Sequence, residues 1–481
     1  MGRIGIPVVR SLAVAALAAA LALTASPAHA AKCAKPGGGG GCSSTIQAAV
    51  DAAGAGESVF VYPGRYTEGV TVPAGKNGLM LVGLGKSPAA VRVEASGLGT
   101  AGVEIHSDGV AVRNLTVRGA VNGIFSFGSG TQVTRVHVIG VQGSGIAIAG
   151  ANAVVLASRV KGCTGMGIYI IGPDAFVRGV NVTLTAGIIV QGDRGRVIGA
   201  RVIASQGTGV MVNGASPQVR DCRIRGGVGG GVIISATAAA PAVSRVTRNR
   251  VYGSMGGGVM AIASGPALVA GNVAQDIMGI GVYYSCSADC GDARVSANVA
   301  RGTIVGPGFG INATTPGVAV AGNRATENGL TGFEIHASGS DVRDNVAVGN
   351  GRFDPSNTAP ATGGFVIEGD LNVLQRNVSR GNAEAGFDVV GSSNTLAGNR
   401  AEGNFGHGFV VGGEGPAPGT ILNGNRAVDN VAYGIYLSGG ASNVTVTNNR
   451  AGANSYSPFC DPIAGATVFS GNNFISSLCM P

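Results

Sequence analysis

The feature that most constrains the fold of this chain is a short motif that recurs along its length. The motif has one asparagine, a second asparagine five residues later, and a glycine nine residues after the first, followed by alternating apolar residues. One copy runs from Gly322 to Ile335, and further copies surround Asn377, Asn399 and Asn425. The first asparagine, or its replacement, recurs about every 24 residues. These anchor positions are Asn114, Ser158, Ala200, Cys222, Asn249, Asn272, Asn298, Asn323, Asn345, Asn377, Asn399, Asn425 and Asn449, with less regular copies near Arg135, Gly179 and Asn472.

A fixed period of this length, with short apolar runs and no helical periodicity, indicates a solenoid of parallel strands. Glycine accounts for 85 of the 481 residues and charged residues for only 12%. This composition excludes a coiled coil or an ordinary helical enzyme, because glycine costs about 1 kcal/mol in a helix interior. We therefore predict an all-β fold, a single-stranded right-handed parallel β-helix of about 16–18 coils. The anchor asparagines should point inward, satisfy backbone groups at a bend and stack into a ladder.

The N-terminus has the pattern of an export signal. Two arginines precede an apolar stretch from Ser11 to Ala25, and Ala28-His29-Ala30 fits a cleavage site. We predict a signal peptide over residues 1–30, an N-terminal segment with a capping helix over 31–58, the β-helix over 59–474 and a tail over 475–481. The helix is expected within Ser44–Ala53. No later stretch is long and apolar enough to span a membrane, and the formal net charge of +8 is too small to indicate nucleic acid.

The chain has eight cysteines, which in an exported protein indicate disulfides. Local spacing predicts three bridges, namely Cys33–Cys42, Cys286–Cys290 and Cys460–Cys479. Cys163 and Cys222 fall on inward positions about three coils apart, so we predict two buried free thiols. The alternative, that Cys286 and Cys290 form half of a zinc site, lacks two further ligands. The sequence therefore predicts no metal site and requires no cofactor.

The segment Thr45–Val72, TIQAAVDAAGAGESVFVYPGRYTEGVTV, followed by the GNRA-type repeats, resembles the pectin-lyase-like right-handed β-helix superfamily. Within it, the chain is similar to bacterial β-helix repeat proteins, including the periplasmic NosD-like group. The resemblance implies the fold and export, but it implies no single activity, since the superfamily contains lyases, polygalacturonases, epimerases, tailspikes and non-enzymes. Copper, which a NosD-like protein would suggest, needs grouped Met, His and Cys side chains that this chain lacks.

Candidate catalytic residues follow from the strand after the motif glycine, where the second and fourth residues should point outward. These positions place Glu334, His336, Glu368 and Asp388 on adjacent coils of one face, and Tyr283 on the same outward line. Carboxylates with a histidine suit general acid and base chemistry on a sugar. Long segments beside this strand, Gly351–Thr362, Ala236–Ala242 and Gly413–Gly419, are expected to border the patch.

The alternative interpretation of these four residues is a solvated polar patch. It is favoured by Gly102–His106, which repeats the Glu-x-His pattern of Gly332–His336 on a distant coil. Gly406-His407-Gly408 resembles a polygalacturonase signature, but the other signatures of that family are absent. We therefore interpret His407 as a turn residue.

Arginines stack on successive coils at two places outside this patch. Arg201, Arg223 and Arg250 form one line. The second line, which with Tyr283 we take as candidate substrate-binding residues, consists of Arg400, Arg426 and Arg450. Like charges at strand spacing repel each other, so a polyanion such as an acidic polysaccharide would relieve them. The alternative is that the arginines keep a flat face soluble and prevent lateral aggregation.

Two classes of function fit these observations. The first is an exported protein that binds or organises cell-envelope or extracellular polysaccharide. The second is a lyase, glycoside hydrolase or uronate epimerase that acts on acidic polysaccharide through the four candidate residues. No complete catalytic signature is present, which favours the first, and the sequence does not specify an oligomeric state.

Overall fold

The computed structural model describes residues 32–99, 101–236, 243–351, 363–413, 415–462, 466–474 and 479. In this part of the chain the backbone winds repeatedly through three short strands per coil, and each strand pairs in parallel with its counterparts in the coils before and after it. The predicted β-helix is confirmed. The predicted signal peptide, residues 1–30, and all of the predicted tail except Cys479 lie outside the described residues.

The strands form three parallel sheets, numbered in the order in which each coil visits them. Sheet 1 consists of Lys32–Ala34, Ser58–Val61, Met80–Gly83, Ala111–Arg113, Gln132–Thr134, Val154–Leu156, Phe176–Arg178, Arg196–Ile198, Gln218–Arg220, Ser244–Thr247, Ala267–Ala270, Arg294–Ser296, Ala319–Ala321, Asp341–Arg343, Val373–Gln375, Thr395–Ala397, Ile421–Asn423, Val444–Thr447 and Ala466–Ser470. Sheet 2 consists of Gly64–Tyr66, Val91–Glu94, Thr116–Arg118, His137–Ile139, Arg159–Lys161, Asn181–Thr183, Arg201–Ser205, Arg223–Gly227, Arg250–Ser254, Val273–Gln275, Val299–Arg301, Arg324–Thr326, Val346–Val348, Val378–Arg380, Arg400–Glu402, Arg426–Val428 and Arg450–Gly452. Sheet 3 consists of Val70–Val72, Val103–Ile105, Ile124–Ser126, Ile146–Ala149, Ile168–Ile171, Ile188–Gln191, Val210–Asn213, Val232–Ala236, Val259–Ala263, Val282–Cys286, Phe309–Ala313, Phe333–His336, Phe365–Glu368, Phe387–Val390, Phe409–Val411, Ile435–Leu437 and Phe459–Cys460. A small pair, Ala417–Pro418 with Ala441–Ser442, lies beside them.

The interior is a set of apolar ladders made by the inward residues of the three sheets. In sheet 3, five phenylalanines stack with ring centroids 4.6–4.9 Å apart. They are Phe309, Phe333, Phe365, Phe387 and Phe409. Each is fully buried, so a slip of one residue in any of these strands would expose a phenylalanine and bury its neighbours. The ladders therefore fix which side chains of sheet 3 face outward.

Asparagine ladders line two bends of the coil. At the bend between sheets 1 and 2, the Asn399 side-chain amide donates to Oδ1 of Asn425 at 3.0 Å and to the Leu374 carbonyl at 2.9 Å. The same pattern runs from Asn249 to Asn472, and a second ladder after sheet 2 runs from Asn328 to Asn454. The inward orientation predicted from the sequence is confirmed.

The structure corrects the motif at two points. The left-handed backbone at this bend belongs to the residue before the anchor, as in Gly398 with φ 64° before Asn399. Asn114 has φ 56° and therefore occupies this preceding position. The anchor of that coil is the buried Leu115, so the predicted register there was wrong by one residue.

Both ends of the described solenoid are covered. The helix Ile46–Ala52 begins after Thr45, whose hydroxyl accepts the Ala48 N–H, and it buries Ile46, Ala49 and Val50 against the first strands. A strand that the sequence did not predict, Lys32–Ala34, extends sheet 1 and pairs with Ser58–Val61. At the other end, the rings of Phe469 and Phe474 pack on Phe459. None of the helices in the described residues is long and apolar enough to cross a membrane.

The cysteines are arranged as predicted. Disulfides join Cys33 to Cys42, Cys286 to Cys290 and Cys460 to Cys479. Cys163 and Cys222 are buried free thiols. Cys222 stands at an anchor position, and its backbone N–H donates to Oδ1 of Asn249, the first asparagine of the ladder.

Candidate functional site

The outer face of sheet 3 presents two columns of side chains that run along the axis of the rod. In Phe333–His336, the first and third residues are buried, and Glu334 and His336 point outward. Parallel pairing then places Glu334 beside Val366, and Val366 beside Asp388. Glu334 and Asp388 are thus two strand spacings apart, about 9–10 Å between backbones.

The first column extends beyond the predicted residues in both directions. Its members in successive coils are Tyr283, Gly310, Glu334, Val366, Asp388, Val410 and Tyr436. The second column holds Ser285, Asn312, His336, Glu368 and Val390. The structure therefore brings all four predicted catalytic residues onto two neighbouring columns, and it adds Asn312, whose coil the repeat did not resolve.

His336 and Glu368 form a direct pair across two adjacent coils. The distance from Nδ1 of His336 to Oε2 of Glu368 is 2.7 Å, and their side chains are 43% and 50% exposed. A carboxylate accepts, so Nδ1 carries the proton that bonds it, and Nε2 is left to face a ligand. An exposed pair of this kind stabilises the fold by well under 1 kcal/mol, which leaves both groups available for other contacts.

Glu334 lies half-buried beside this pair. Burial raises the pKa of the Glu334 carboxyl, and the nearby Glu368 carboxylate raises it further. A hydrogen bond from the hydroxyl of Thr331 and the charge of His336 lower the pKa of Glu334. A half-buried carboxyl with a raised pKa next to an exposed imidazole is an arrangement suited to donating a proton.

Asp388 is half-buried under the segment that follows the strand Phe409–Val411. A Cβ atom on Gly413 would lie 2.7 Å from Oδ1 of Asp388, so the backbone at Gly413 lies against the carboxylate. The first residue of the predicted border segment therefore contacts Asp388. Residues 352–362 and 237–242, which make up most of the other two predicted border segments, lie outside the described residues.

Aromatic side chains stand at both ends of the first column. The Tyr283 ring lies over Gly310, where an added Cβ would be 3.1 Å from Cδ2 of that ring. At the other end, His407 stacks on Tyr436 at 4.8 Å and on Tyr433 at 5.5 Å between ring centroids. Tyr456, which is 71% exposed, meets the edge of Tyr433. The carboxylates thus lie between two aromatic platforms.

His407 lies in the turn before the strand Phe409–Val411, as predicted, and its imidazole packs among tyrosine rings. Its Nδ1 accepts the backbone N–H of Tyr433 at 3.2 Å, and burial among the rings lowers the pKa of the imidazole. The aromatic cluster was missed because His407 and Tyr433 lie one residue before the motif glycine, outside the outward positions of the strand. Aligning that preceding position across coils would have placed His407 directly beneath Tyr433.

The second Glu-x-His pattern folds differently. Nε2 of His106 contacts Oε1 of Glu104 in its own strand at 2.9 Å, and the imidazole stacks on Phe127. His336 instead bonds to a carboxylate of the next coil. The two patterns share residues and spacing but build different surroundings.

The predicted substrate-binding arginines lie on sheet 2 and do not face the carboxylates. Arg400, Arg426 and Arg450 are in register on successive coils, as predicted. Glu402, in the same strand as Arg400, forms ion pairs with Arg400 at 2.5 Å and with Arg426 at 3.5 Å. This line is therefore partly neutralised, and its role in binding stays a prediction. Within the described ranges, no group of three or more His, Cys, Asp or Glu side chains is arranged to hold a metal ion.

The family model described as the right handed beta helix region matches residues 101–274 and 278–451. Among solved structures, the chain is similar to the periplasmic alginate epimerase AlgG, with 11% identity and a TM-score of 0.32 over 88% of this chain and 77% of that one. It is also similar to the A-module of mannuronan C-5 epimerase AlgE4 from Azotobacter vinelandii, with 16% identity and a TM-score of 0.25 over 90% and 95%.

A third similar structure is the catalytic unit of a GH87 α-1,3-glucanase from Streptomyces thermodiastaticus. It has 14% identity and a TM-score of 0.21 over 91% of this chain and 67% of that one. No curated protein matches the chain in sequence.

Proposed function

Because this chain belongs to the right-handed β-helix family, whose coils present long regular faces, we propose that it binds polysaccharide along the outer face of sheet 3. The observation that carries the proposal is the column from Tyr283 to Tyr436. It places aromatic rings at both ends and carboxylates between them. Six strand spacings separate these tyrosines, about 29 Å, and the part from Tyr283 to Asp388 is separated from Tyr436 by the buried Val410.

Each part of the column suits a different part of a sugar. The flat apolar faces of pyranose rings pack on tyrosine rings, while carboxylates and Asn312 accept and donate hydrogen bonds to hydroxyl groups. Hydrogen bonds to ionised acceptors are about twice as strong as neutral ones. Three carboxylates, Glu334, Glu368 and Asp388, repel a uronate polymer, so this face favours a neutral polysaccharide.

A second candidate function is chemistry at this face, either as a glycoside hydrolase on a neutral chain or as a lyase or uronate epimerase on an acidic one. The observation that favours it is the raised pKa of Glu334 beside the His336–Glu368 pair. In this role Glu334 donates the proton, and Asp388 or His336 acts as the base.

We further propose that the protein is exported. The three disulfides support this, because such bonds persist in oxidising compartments and are rare in the cytosol. The signal-like residues 1–30 agree with the same location.

The experiment that tests the proposal measures binding of neutral and uronate oligosaccharides by titration calorimetry. Tyr436→Ala should weaken binding about two- to tenfold, since stacking contacts contribute about 0.5–1.5 kcal/mol. Tyr169→Ala is the matched control, because Tyr169 lies on the same column seven coils before Glu334 and should leave the affinity unchanged. Equal affinities for the two variants, or no binding of any glycan by the parent protein, would refute the proposal.

The same samples separate binding from catalysis. Product formation by the parent protein, lost in His336→Ala and Glu334→Gln with binding retained, would establish the second function. Binding without product on every glycan would leave the first function alone.

A further inference from the structure

The positive charge of this chain is concentrated in one short segment. Residues 194–250 contain nine arginines and one aspartate, a net charge of +8 that equals the formal net charge of the whole chain. These residues form only about two and a half coils, so their arginines crowd onto neighbouring strands of sheets 1 and 2. A concentration of this kind produces a local positive field.

The centre of this region is a two-column arrangement on sheet 2. Arg201 pairs in register with Arg223, and Arg223 pairs with Arg250. In the second column Arg225 lies beside Tyr252. All four arginines are exposed, and together with Tyr252 they line a shallow hollow of about 310 Å³.

The single acidic residue of the segment is already engaged. Both carboxylate oxygens of Asp221 bind Arg248, at 2.7 and 2.9 Å, and a second arginine, Arg220, is 4.0 Å away. Among the described residues, none of the four arginines of the hollow takes part in an ion pair. Like charges directly opposite one another on paired strands destabilise a sheet, so this arrangement has a cost that the fold itself does not offset.

Elsewhere on sheet 2 some arginines are paired with acid. Glu402 contacts both Arg400 and Arg426, and Glu327 binds Arg301 at 3.1 Å. Solubility alone would be served as well by such mixed charges as by unpaired arginines. Asp221, the acid that lies beside Arg223 and Arg250, is bound to Arg248, so the hollow is suited to an external anion.

We propose that Arg201, Arg223, Arg225 and Arg250 form a binding site for a carboxylate-bearing polysaccharide that runs along the axis of the rod. Successive guanidinium groups recur at the strand spacing, about 4.8 Å, and each can hold a carboxylate through two parallel hydrogen bonds. Tyr252 offers one face for a sugar ring. Proteins that hold single-stranded nucleic acid stack successive bases on several aromatic side chains, and this hollow has a single one.

This site is separate from the carboxylate face of sheet 3 and has the opposite charge. It does not rest on the proposed function of that face. If both sites are occupied, one rod connects a neutral glycan to an acidic one.

The test measures the affinity of a polygalacturonate oligomer by biolayer interferometry at about 0.15 M ionic strength. In the double variant Arg223→Gln/Arg250→Gln, we expect at least a tenfold loss of affinity. The matched control is Arg324→Gln/Arg380→Gln, which removes the same charge from exposed sheet 2 arginines that have no arginine beside them in register. The control should change the affinity less than threefold.

Further arms distinguish the remaining outcomes. Equal losses in the two double variants would show attraction to net charge alone and would overturn the site. Tighter binding of single-stranded DNA than of polygalacturonate at the same salt would overturn the assignment of the ligand. Tyr436→Ala should leave polygalacturonate affinity unchanged, so this proposal can fail or stand independently of the sheet 3 face. Circular dichroism checks that each variant is folded, and we expect the glutamine variants to be at least as stable as the parent because they relieve repulsion.

Discussion

Replacing Asn399 by leucine tests the energetic role of the asparagine ladder. Oδ1 of Asn399 accepts two hydrogen bonds from Asn377, from its backbone N–H at 3.0 Å and from its side-chain amide at 2.9 Å. Asn377 is fully buried, so leucine at position 399 removes the acceptor of both of these hydrogen bonds. Each buried unsatisfied donor costs about 1–3 kcal/mol.

Leucine also adds branched bulk between two ladder neighbours held at strand spacing. Overpacking of a filled interior costs about 1–3 kcal/mol. We therefore expect Asn399→Leu to lower the free energy of unfolding by about 3–9 kcal/mol, the lower end applying if the bend relaxes. Urea denaturation followed by far-UV circular dichroism measures the change, with the native and variant slopes compared to detect intermediates.

The control is the same substitution on the outside of the rod. Asn423 is exposed at the end of a sheet 1 strand, and its side chain accepts from Thr447 and Asn448 on the surface. Asn423→Leu should change stability by about 0.5 kcal/mol or less. If the two variants unfold within about 0.5 kcal/mol of each other, the ladder does not have the role assigned to it.

The remaining predictions concern groups whose environment changes their ionisation or reactivity. Since burial raises the pKa of Glu334, the folded state loses stability as pH rises through that pKa; Glu334→Gln should therefore melt higher than the parent at pH 7, and the difference should shrink towards pH 4. Burial lowers the pKa of His407, so the stability of the folded protein should fall as pH drops below about 6.5. The variant His407→Phe keeps the ring stack but cannot be protonated. Its melting temperature should therefore differ less between pH 7 and pH 5 than that of the parent. Burial raises the pKa of Cys222 to about 12 and also raises that of Cys163; mass spectrometry after alkylation should therefore find no labelled cysteine in the native protein and two in denaturant, and labelling of either thiol under native conditions would contradict the burial.

The sequence was most informative where one physical demand repeats in every coil. Asparagine, glycine and phenylalanine recur because each coil has the same bend and the same interior, so the period and the inward positions could be read directly. The outward positions of Glu334 and Asp388 followed from that parity. The register failed at Asn114, because asparagine also tolerates the left-handed backbone of the residue before the anchor.

Contacts between residues that do not belong to the repeat cannot be predicted from its period. The stack of His407 on Tyr433 and Tyr436 depends on side chains that leave the turn and meet above the sheet, which no periodicity encodes. The repeat predicts the line of Arg400 and Arg426, but it does not predict that Glu402 neutralises that line. Glu402 and Arg225 each lie two positions along a strand from a predicted arginine and therefore share its face, yet neither belongs to the repeated motif.

Because the asparagine ladder is present in only part of the rod, neighbouring coils are coupled more strongly there than in the rest. It runs unbroken from Asn249 to Asn472, while the coils before Cys222 carry Leu115, Ser158 or Ala200 at the same bend. In a solenoid, where stability is the sum of coil terms and nearest-neighbour terms, stronger coupling makes the C-terminal half open as one large cooperative unit. The carboxylate face lies inside that unit, so the distances between its side chains stay fixed when a polysaccharide binds. The arginine hollow straddles the junction, where neighbouring coils are freer to shift and adapt to a polymer of irregular charge.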